Sequence, residues 1–120
     1  MSSGDWFPAE KSFGNKQFIS AYLKAYHGSA NDIDTTSAEA YACGQILKQV
    51  TDKTKSLDNK KIIKALHHGV WPTVNGHLSW DKYGMPKGNT ILVEWVRGKL
   101  VPVFPKKVAL HAPIPKAKWH

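Results

Sequence analysis

The sequence predicts an α+β protein in which about three helices come first and a β-hairpin follows. Apolar residues recur at helical spacing through residues 15–69, and residues 71–89 are rich in turn-forming residues. Residues 90–104 hold two β-rich runs around a Gly-Lys pair, and a tail rich in Pro and Lys, residues 105–120, is expected to run extended over a surface. A chain of 120 residues suits one domain, so residues 1–120 are expected to be a single domain.

The first helix is predicted to begin at Asn15 as its N-cap and to stop at Gly28. Pro8 and Gly14 argue against a long helix before it, in residues 1–14. The apolar positions of this helix follow the i, i+3, i+4 spacing of an amphipathic helix and are Phe18, Ile19, Tyr22, Leu23 and Tyr26.

The second helix is predicted to follow the motif Thr36-x-x-Glu39, which has the spacing of a capping box. Its first half is rich in small residues, which indicates burial against a closely approaching neighbour. Gly44 costs about 1 kcal/mol relative to Ala inside a helix, so we expect close packing to offset that cost. Because Cys43 is the only cysteine, an internal disulfide and a multi-cysteine metal site are excluded, and inert core packing is its expected role.

The third helix is predicted from its cap Asp58 to a stop at Gly69. Its inward positions are expected to be Ile62, Ile63 and Leu66. The pair His67-His68 is the one place that invites a metal or acid–base hypothesis. Adjacent helical residues diverge by about 100°, so the two imidazoles do not converge on one ion, and histidines at a helix C-terminus interact favourably with the helix dipole.

The stretch Trp71–Gly84 separates the helices from the strands. Asn75-Gly76 and Asp81–Gly84 are turn signals, since Gly accepts a positive φ and Asp bonds to its own backbone two residues on. Between the two turns, Leu78 and Trp80 share one face of a short extended segment, because side chains alternate along a strand.

A further turn is predicted at Pro86-Lys87-Gly88, and the hairpin follows it. The runs Thr90–Arg97 and Leu100–Phe104 flank Gly98-Lys99, which predicts a two-residue turn of type II′. Pro102 lacks an N–H group, so the second strand is expected at a sheet edge or to end early. The first strand is apolar on both faces apart from one glutamate, so cover on two sides is expected.

The net charge of +8 raises a second function, that of a small basic protein that binds nucleic acid or an anionic membrane through its lysines. Sixteen of the seventeen basic residues are Lys and only Arg97 is Arg, the residue best suited to bidentate phosphate and guanine contacts. The lysines are also scattered, which favours a solvated surface over a nucleic-acid interface.

The sequence predicts no enzyme and no cofactor. It contains no Walker loop, GxGxxG, GxSxG or HExxH motif, and its acidic residues form no recognisable catalytic pair. No run of about 18 apolar residues predicts a transmembrane helix, and the first fifteen residues do not have the pattern of a signal peptide.

Seven segments, in this order, resemble the C-terminal portion of one family. The family is the type I periplasmic substrate-binding proteins of ABC transporters, in the group for branched-chain amino acids and for amides or urea. The segments are WFP, FISAYLKAYHG, AEAYACGQILKQV, SLDNKKIIKAL, TVNGHLSWDKYG, VEWVRGKLVPVFP and ALHAPIPKAKW.

The resemblance implies an α+β fragment, the last third of a two-lobe α/β fold whose lobes close over a ligand. The helices and Trp71–Gly84 would belong to one lobe and Thr90–Phe104 to the other, with the last crossing near Pro86–Asn89. The implied function is that of a truncated or partial solute-binding protein, non-catalytic and with weak or no ligand binding alone. The implied location is the periplasm, and the implied partner is a transporter permease.

The cleft contact that the resemblance implies comes from the loop entering the second helix, Asp34–Ala38. It places Thr35 and Thr36, with Tyr41 on the helix, as ligand-binding candidates for a small amino acid or amide. Some relatives carry an aromatic residue where this chain has threonines. A hairpin without its parent sheet presents open edges, which predicts a homo-oligomer or a domain-swapped dimer.

Overall fold

A computed structural model of the protein describes residues 2–87 and 90–115. The described chain forms two compact units, which we call the helical unit (residues 6–87) and the hairpin unit (residues 2–5 with residues 90–115). Three helices precede a β-hairpin, as the sequence predicts. Within the described ranges, no helix has the length and apolar character needed to cross a membrane.

The helical unit contains three α-helices and a small antiparallel sheet of strand order β2-β3-β4. The helices are α1 (Asn15–Tyr26), α2 (Thr35–Thr54) and α3 (Asn59–His68), with a 3-10 helix at Ala30–Asp32. The strands are β2 (Trp71–Thr73), β3 (Gly76–Trp80) and β4 (Pro86–Lys87).

The hairpin unit is an antiparallel sheet of strand order β1-β5-β6. Its strands are β1 (Ser2–Gly4), β5 (Ile91–Val96) and β6 (Lys99–Phe104). Strand β1 was not expected from the sequence Ser-Ser-Gly, which lacks β-branched and aromatic residues. It pairs with β5 in the register Ser3↔Leu92. Backbone pairing with β5 therefore holds this strand, although its own residue types do not favour one.

Asn15 does not cap α1, contrary to the prediction. Gly14, with φ 76°, is the N-cap, and the Asn15 side chain is turned inward, 2% exposed. Its Oδ1 accepts from Trp6 Nε1 at 2.7 Å, and its Nδ2 donates to the carbonyls of Glu10 at 2.8 Å and Pro8 at 3.1 Å. The Asn15 side chain suits these partners because an amide both accepts and donates hydrogen bonds, whereas an N-cap side chain needs only to accept one.

Gln45 of α2 joins the segment before α1 to the β2–β3 turn. Its Oε1 accepts from Val74 N at 2.8 Å, and its Nε2 donates to Phe13 O at 3.2 Å. Ser12 Oγ donates to Val74 O at 2.6 Å and completes the link. A fully buried turn residue thus keeps both backbone groups paired, as buried peptide groups require.

Helix α2 packs against both ends of the helical core. Its buried residues recur every fourth position and are Ala38, Ala42, Ile46 and Val50. One core cluster consists of Trp6, Phe18, Ile33, Ala38, Ala42 and Val74, and a second consists of Ile46, Val50 and Trp71. Leu78 and Trp80 both pack on the second cluster, which confirms that they share a face.

The predicted capping box at Thr36 and Glu39 is wrong. Asp34 is the N-cap of α2, and its Oδ1 accepts from Ser37 N at 2.8 Å. The helix therefore starts before the predicted motif, because a carboxylate placed three residues before a free N–H group satisfies it directly.

The expected burial of Cys43 and Gly44 is also wrong. Cys43 is exposed, and a Cβ built on Gly44 meets no described atom within 4 Å. The buried stripe runs through Ala38 and Ala42, so the next two positions turn away from the core. Only the two alanines provide the close approach predicted from the small residues.

Helix α3 begins and ends as predicted. Asp58 Oδ1 accepts from Lys61 N at 2.9 Å, and Gly69 follows the last helical residue. Ile62 packs on the second core cluster, whereas Ile63, predicted to face inward, is 54% exposed.

The predicted turns at Asn75-Gly76 and Asp81–Gly84 are present. Gly76 has φ 86° at the end of the β2–β3 turn, and Asp81 Oδ1 accepts from Tyr83 N and Met85 N. Pro86-Lys87 forms strand β4 instead of the predicted turn, because it pairs with the end of β3. Gly88 of that predicted turn, Asn89 and the tail residues 116–120 lie outside the described residues.

The β5–β6 turn lies one residue earlier than predicted. Val96 pairs with Lys99, which leaves Arg97 and Gly98 in the turn, with φ 50° and 75°. Two positive φ values define type I′ instead of II′. Strand β6 lies at an edge of the described sheet, as Pro102 predicts.

The expected cover on both faces of β5 fails at the tip of the hairpin. Ile91 and Val93 are buried, but Trp95 is 68% exposed and lies opposite Leu100, which is also exposed. The register places the Trp95–Leu100 pair on the same face as the buried Val93–Pro102 pair. The apolar face therefore continues past the buried part of the sheet.

Two glycine substitutions are expected to act in opposite directions. Gly44→Ala should raise the free energy of unfolding by about 1 kcal/mol, because the site is open and Ala favours a helix interior. Gly14→Ala should lower it, because φ is 76° and the new Cβ would lie 2.6 Å from Gln45 Nε2. Urea denaturation of both variants measures the two changes, and changes of the same sign would contradict this assignment.

Candidate functional site

The two threonines predicted to bind a ligand lie in the first turn of α2 and not in the loop before it. Thr35 is the first residue of the helix and half-buried, and Thr36 is exposed. Asp34 beside them has its pKa lowered, first by the hydrogen bond from the backbone N–H of Ser37. The threonine at position 36 therefore presents its side chain to solvent beside an ionised cap.

Tyr41 does not converge with the two threonines. Successive residues of an α-helix are rotated by about 100°, so Thr36 and Tyr41 point about 140° apart. The Tyr41 ring instead lies against Phe18, with ring centroids 4.8 Å apart and an interplanar angle of 37°. The structure brings Thr35 and Thr36 together at one helix end and places Tyr41 in a separate aromatic group.

An aromatic row leads from the core of the helical unit to its surface. Trp6 contacts Phe18 edge-on at 5.6 Å, Phe18 contacts Tyr22 at 6.0 Å, and Tyr22 contacts Tyr26 at 4.8 Å. Trp6 is buried, whereas Tyr26 is 72% exposed. Of the two tyrosines among the predicted apolar positions of α1, Tyr22 is half-buried and Tyr26 is exposed.

A groove of about 500 Å³ is formed by residues 8–12 and 15–17. Glu10 lines it, with an Oε2 atom that is buried and has no hydrogen-bond partner among the described atoms. Burial raises the pKa of Glu10 from its ordinary value of 4.5 to about 7. Lys11 and Lys16 line the same groove. Glu10, Lys11 and Lys16 are therefore the charged residues in the lining of this groove.

A smaller apolar pocket of about 180 Å³ lies between α3 and β3. Its lining residues are Ile63, Leu66, His67, Trp80 and Gly84. His67 Nδ1 lies 2.8 Å from the backbone oxygen of Asp81, and because a carbonyl only accepts, Nδ1 donates this bond. His68 is exposed on the helix. Among the described residues, no group of three or more His, Cys, Asp or Glu side chains is placed to hold a metal ion.

The Glu10 groove escaped prediction because its cause is not local. In the sequence, Glu10 is a polar residue of the segment 1–14, which also contains Pro8 and Gly14. Its burial depends on the fold that Asn15 imposes on this segment by binding the carbonyls of Pro8 and Glu10. A raised pKa of this kind needs the folded chain and has no local sequence signature.

The solved structures that resemble the chain include two solute binding proteins. The first is a solute binding protein of an ABC transporter from Rhodopseudomonas palustris HaA2 in complex with p-hydroxybenzoic acid, with 26% identity and a TM-score of 0.59. The second is an ABC-transporter solute binding protein from R. palustris in complex with 4-hydroxybenzoate, with 25% identity and a TM-score of 0.57. In both, the match covers 84% of this chain and 28% of the other.

The chain therefore has the fold of part of an ABC-transporter solute-binding protein, and it spans about 28% of the length of these structures. This confirms the predicted fold class. No protein-family description and no curated protein matches the chain. The sequence resemblance is to the group of binding proteins for branched-chain amino acids and for amides or urea. The ligand in these two solved structures is hydroxybenzoate.

Replacing Glu10 should have an effect on stability that depends on pH. The pKa of Glu10 is about 7 in the folded chain against an ordinary 4.5, so the unfolded chain loses this proton first as pH rises. The stability of the native protein therefore falls, on account of Glu10, between about pH 4.5 and pH 7. Glu10→Gln removes this loss.

Thermal unfolding at pH 5 and pH 8 measures this difference. The melting temperature of the Glu10→Gln variant, relative to that of the native protein, should be higher at pH 8 than at pH 5. Glu39→Gln, at an exposed position of α2, is the matched control and should show no such trend. A Glu10→Gln effect of equal size at both pH values would refute the raised pKa.

Proposed function

We propose that the chain supplies part of the solute-binding protein of an ABC transporter and acts without catalysis. The observation that carries this proposal is the match of 84% of the chain to two solved solute-binding proteins. Such a protein would work in the periplasm and deliver its solute to a transporter permease.

The division of the chain into two units supports an assignment to two lobes. The chain passes from the hairpin unit to the helical unit between residues 5 and 6, and returns between residues 87 and 90. We assign the second passage to the lobe crossing expected near Pro86–Asn89. Residues 1–120 would then contribute to both lobes of a single binding protein.

The solute that we propose is a small organic molecule with a carboxylate. A branched-chain amino acid, predicted from the sequence, and the hydroxybenzoate of the two matched structures share this group. Amides and urea, also predicted, lack it. The hydroxyls of Thr35 and Thr36 at the start of α2 are the proposed contacts, since each donates a hydrogen bond to an oxygen. Tyr41 is left out of this proposal, because its ring lies against Phe18 on another side of α2.

Titration of the chain with 4-hydroxybenzoate, L-leucine and acetamide tests this function. By NMR, the two carboxylates should shift the amide signals of Thr35 and Thr36 with dissociation constants on the order of millimolar, because part of a cleft encloses little of a ligand. Thr36→Val should abolish the shifts, whereas Thr51→Val, at the other end of α2, should keep them. Absence of shifts with both carboxylates would refute the function for this chain.

We also propose that the chain associates with a second copy through the hairpin. Trp95 and Leu100 form an exposed apolar pair, and β6 offers the unpaired backbone groups of a described sheet edge. Either a homo-oligomer with paired edges or a domain-swapped dimer would cover this surface.

Light scattering over a range of protein concentrations tests this association. The native chain should show a mass above that of one copy, and Trp95→Lys should lower it. Leu57→Lys, at a position that is 83% exposed between α2 and α3, is the control and should leave the mass unchanged. A monodisperse monomer at high concentration would contradict the association.

A further inference from the structure

Helix α3 has a cationic side that faces solvent. Successive residues of a helix are rotated by about 100°, so Lys60, Lys61 and Lys64 lie within an arc of about 100° around its axis. All three are exposed. The residues on the opposite arc pack on the second core cluster and are Ile62, Ala65 and Leu66. The three lysines therefore share the outer side of α3.

No carboxylate in the described part of the chain forms an ion pair with these three lysines. The ion pair found there joins Lys48 to Asp52 on α2. Residues 59–68, which form α3, include no Asp or Glu. The N-cap Asp58 accepts a hydrogen bond from the backbone N–H of Lys61 at 2.9 Å. The charge on this side of α3 is therefore available to a partner.

An apolar surface adjoins the three lysines. Ile63 is 54% exposed and lies one helical turn from Lys60 and next to Lys64 in the chain. It also lines the open apolar pocket of about 180 Å³ between α3 and β3. Cationic and apolar surfaces therefore meet at Ile63, and we call the four residues Lys60, Lys61, Ile63 and Lys64 the α3 face.

The composition of the α3 face favours a lipid surface over a nucleic acid as its partner. It contains no Arg, the residue suited to bidentate contacts with phosphate and guanine. Anionic lipid headgroups attract clustered lysines, and the acyl boundary beneath the headgroups accepts an exposed apolar side chain. A nucleic-acid backbone would pair with the lysines but offers no apolar layer for Ile63.

We propose that the α3 face docks the chain on a membrane surface that contains anionic lipid, with its lysines at the headgroups and Ile63 at the acyl boundary. The net charge of +8 on the whole chain would steer it towards such a surface. The docking uses neither Thr35 nor Thr36, so it does not depend on the solute-binding function proposed above.

Co-sedimentation of the full chain with sucrose-loaded vesicles tests this docking. One set of vesicles contains phosphatidylglycerol and phosphatidylcholine in equal parts, and the other contains phosphatidylcholine alone. The chain should sediment with the anionic vesicles at about 50 mM salt and be released at about 500 mM, because salt screens exposed charges. Equal binding to both sets, no binding to either set, or binding that salt does not weaken would overturn the proposal.

Paired lysine substitutions locate the contact. Lys60→Gln combined with Lys64→Gln should weaken binding to the anionic vesicles about 25-fold, because each lysine near such a surface contributes about a fivefold factor. Lys16→Gln combined with Lys24→Gln removes the same charge from exposed positions of α1 and should bind nearly as the native chain does. Equal losses in the two double variants would assign the binding to net charge and overturn the role of the α3 face.

Ile63→Asn separates the apolar contact from the charge. It should weaken vesicle binding about fourfold or more, the effect of one methylene group returned to water. Leu47→Asn, at a position of α2 that is 56% exposed, is the matched control with native binding. Native binding by Ile63→Asn would overturn its place at the acyl boundary.

Duplex DNA and poly-L-glutamate are the competing probes, offered to the chain at the same low salt. They present the phosphates of a nucleic acid and the carboxylates of an acidic protein. Neither should bind as tightly as the anionic vesicles. Tighter binding of either probe, weakened by the paired substitutions on α3, would overturn the assignment to lipid.

Discussion

The buried side chain of Asn15 fixes the segment on which the first half of the structure depends. It makes three hydrogen bonds, one from the Trp6 indole and two to backbone carbonyls, at a site that is 2% exposed. A buried polar group left without its partner costs about 1–3 kcal/mol, so these bonds act together in favour of one conformation. The segment before α1 is thereby ordered without being a helix or a strand.

Much of the helical unit is positioned from this segment. The Trp6 ring, oriented by its bond to Asn15, packs edge-on against Phe18 of α1. The same segment supplies Phe13 and Ser12, whose polar groups join it to Gln45 of α2 and to the β2–β3 turn. One continuous set of hydrogen bonds thus connects the segment before α1, the central helix α2 and the β2–β3 turn.

The groove at Glu10 is a consequence of the same arrangement. The two carbonyls that Asn15 binds belong to Pro8 and Glu10, so the backbone is held while the Glu10 carboxyl is left partly buried. The rise in its pKa follows from that burial and not from a neighbouring charge. The hydrogen bonds of Asn15 therefore account both for the packing of the segment before α1 and for the unsatisfied carboxyl of Glu10.

Local patterns in the sequence were enough to predict the parts of the fold that depend on local physics. Helical spacing located all three helices, Asp58 and Gly69 located the ends of α3, and Asn75-Gly76 located a turn. The errors arose where a distant partner decides the outcome. Asparagine is a common N-cap residue, but the side-chain oxygen of Asn15 accepts a hydrogen bond from the Trp6 indole instead. The pairing of Val96 with Lys99 moves the hairpin turn by one residue. Of the candidate site, Thr35 and Thr36 came from a family resemblance, whereas the Glu10 groove depends on burial that only the folded chain shows.

Hydrogen exchange at the tryptophan indoles tests the role of Asn15 most directly. The Trp6 indole N–H donates to Asn15 Oδ1 in a buried site, so its exchange with deuterium should be slowed to the rate of the backbone amides in the middle of α2. Trp95, 68% exposed, is the internal reference and should exchange at the rate of a free indole. If the Trp6 indole exchanges as fast as that of Trp95, the segment before α1 is not held by Asn15 and this account of the fold is wrong.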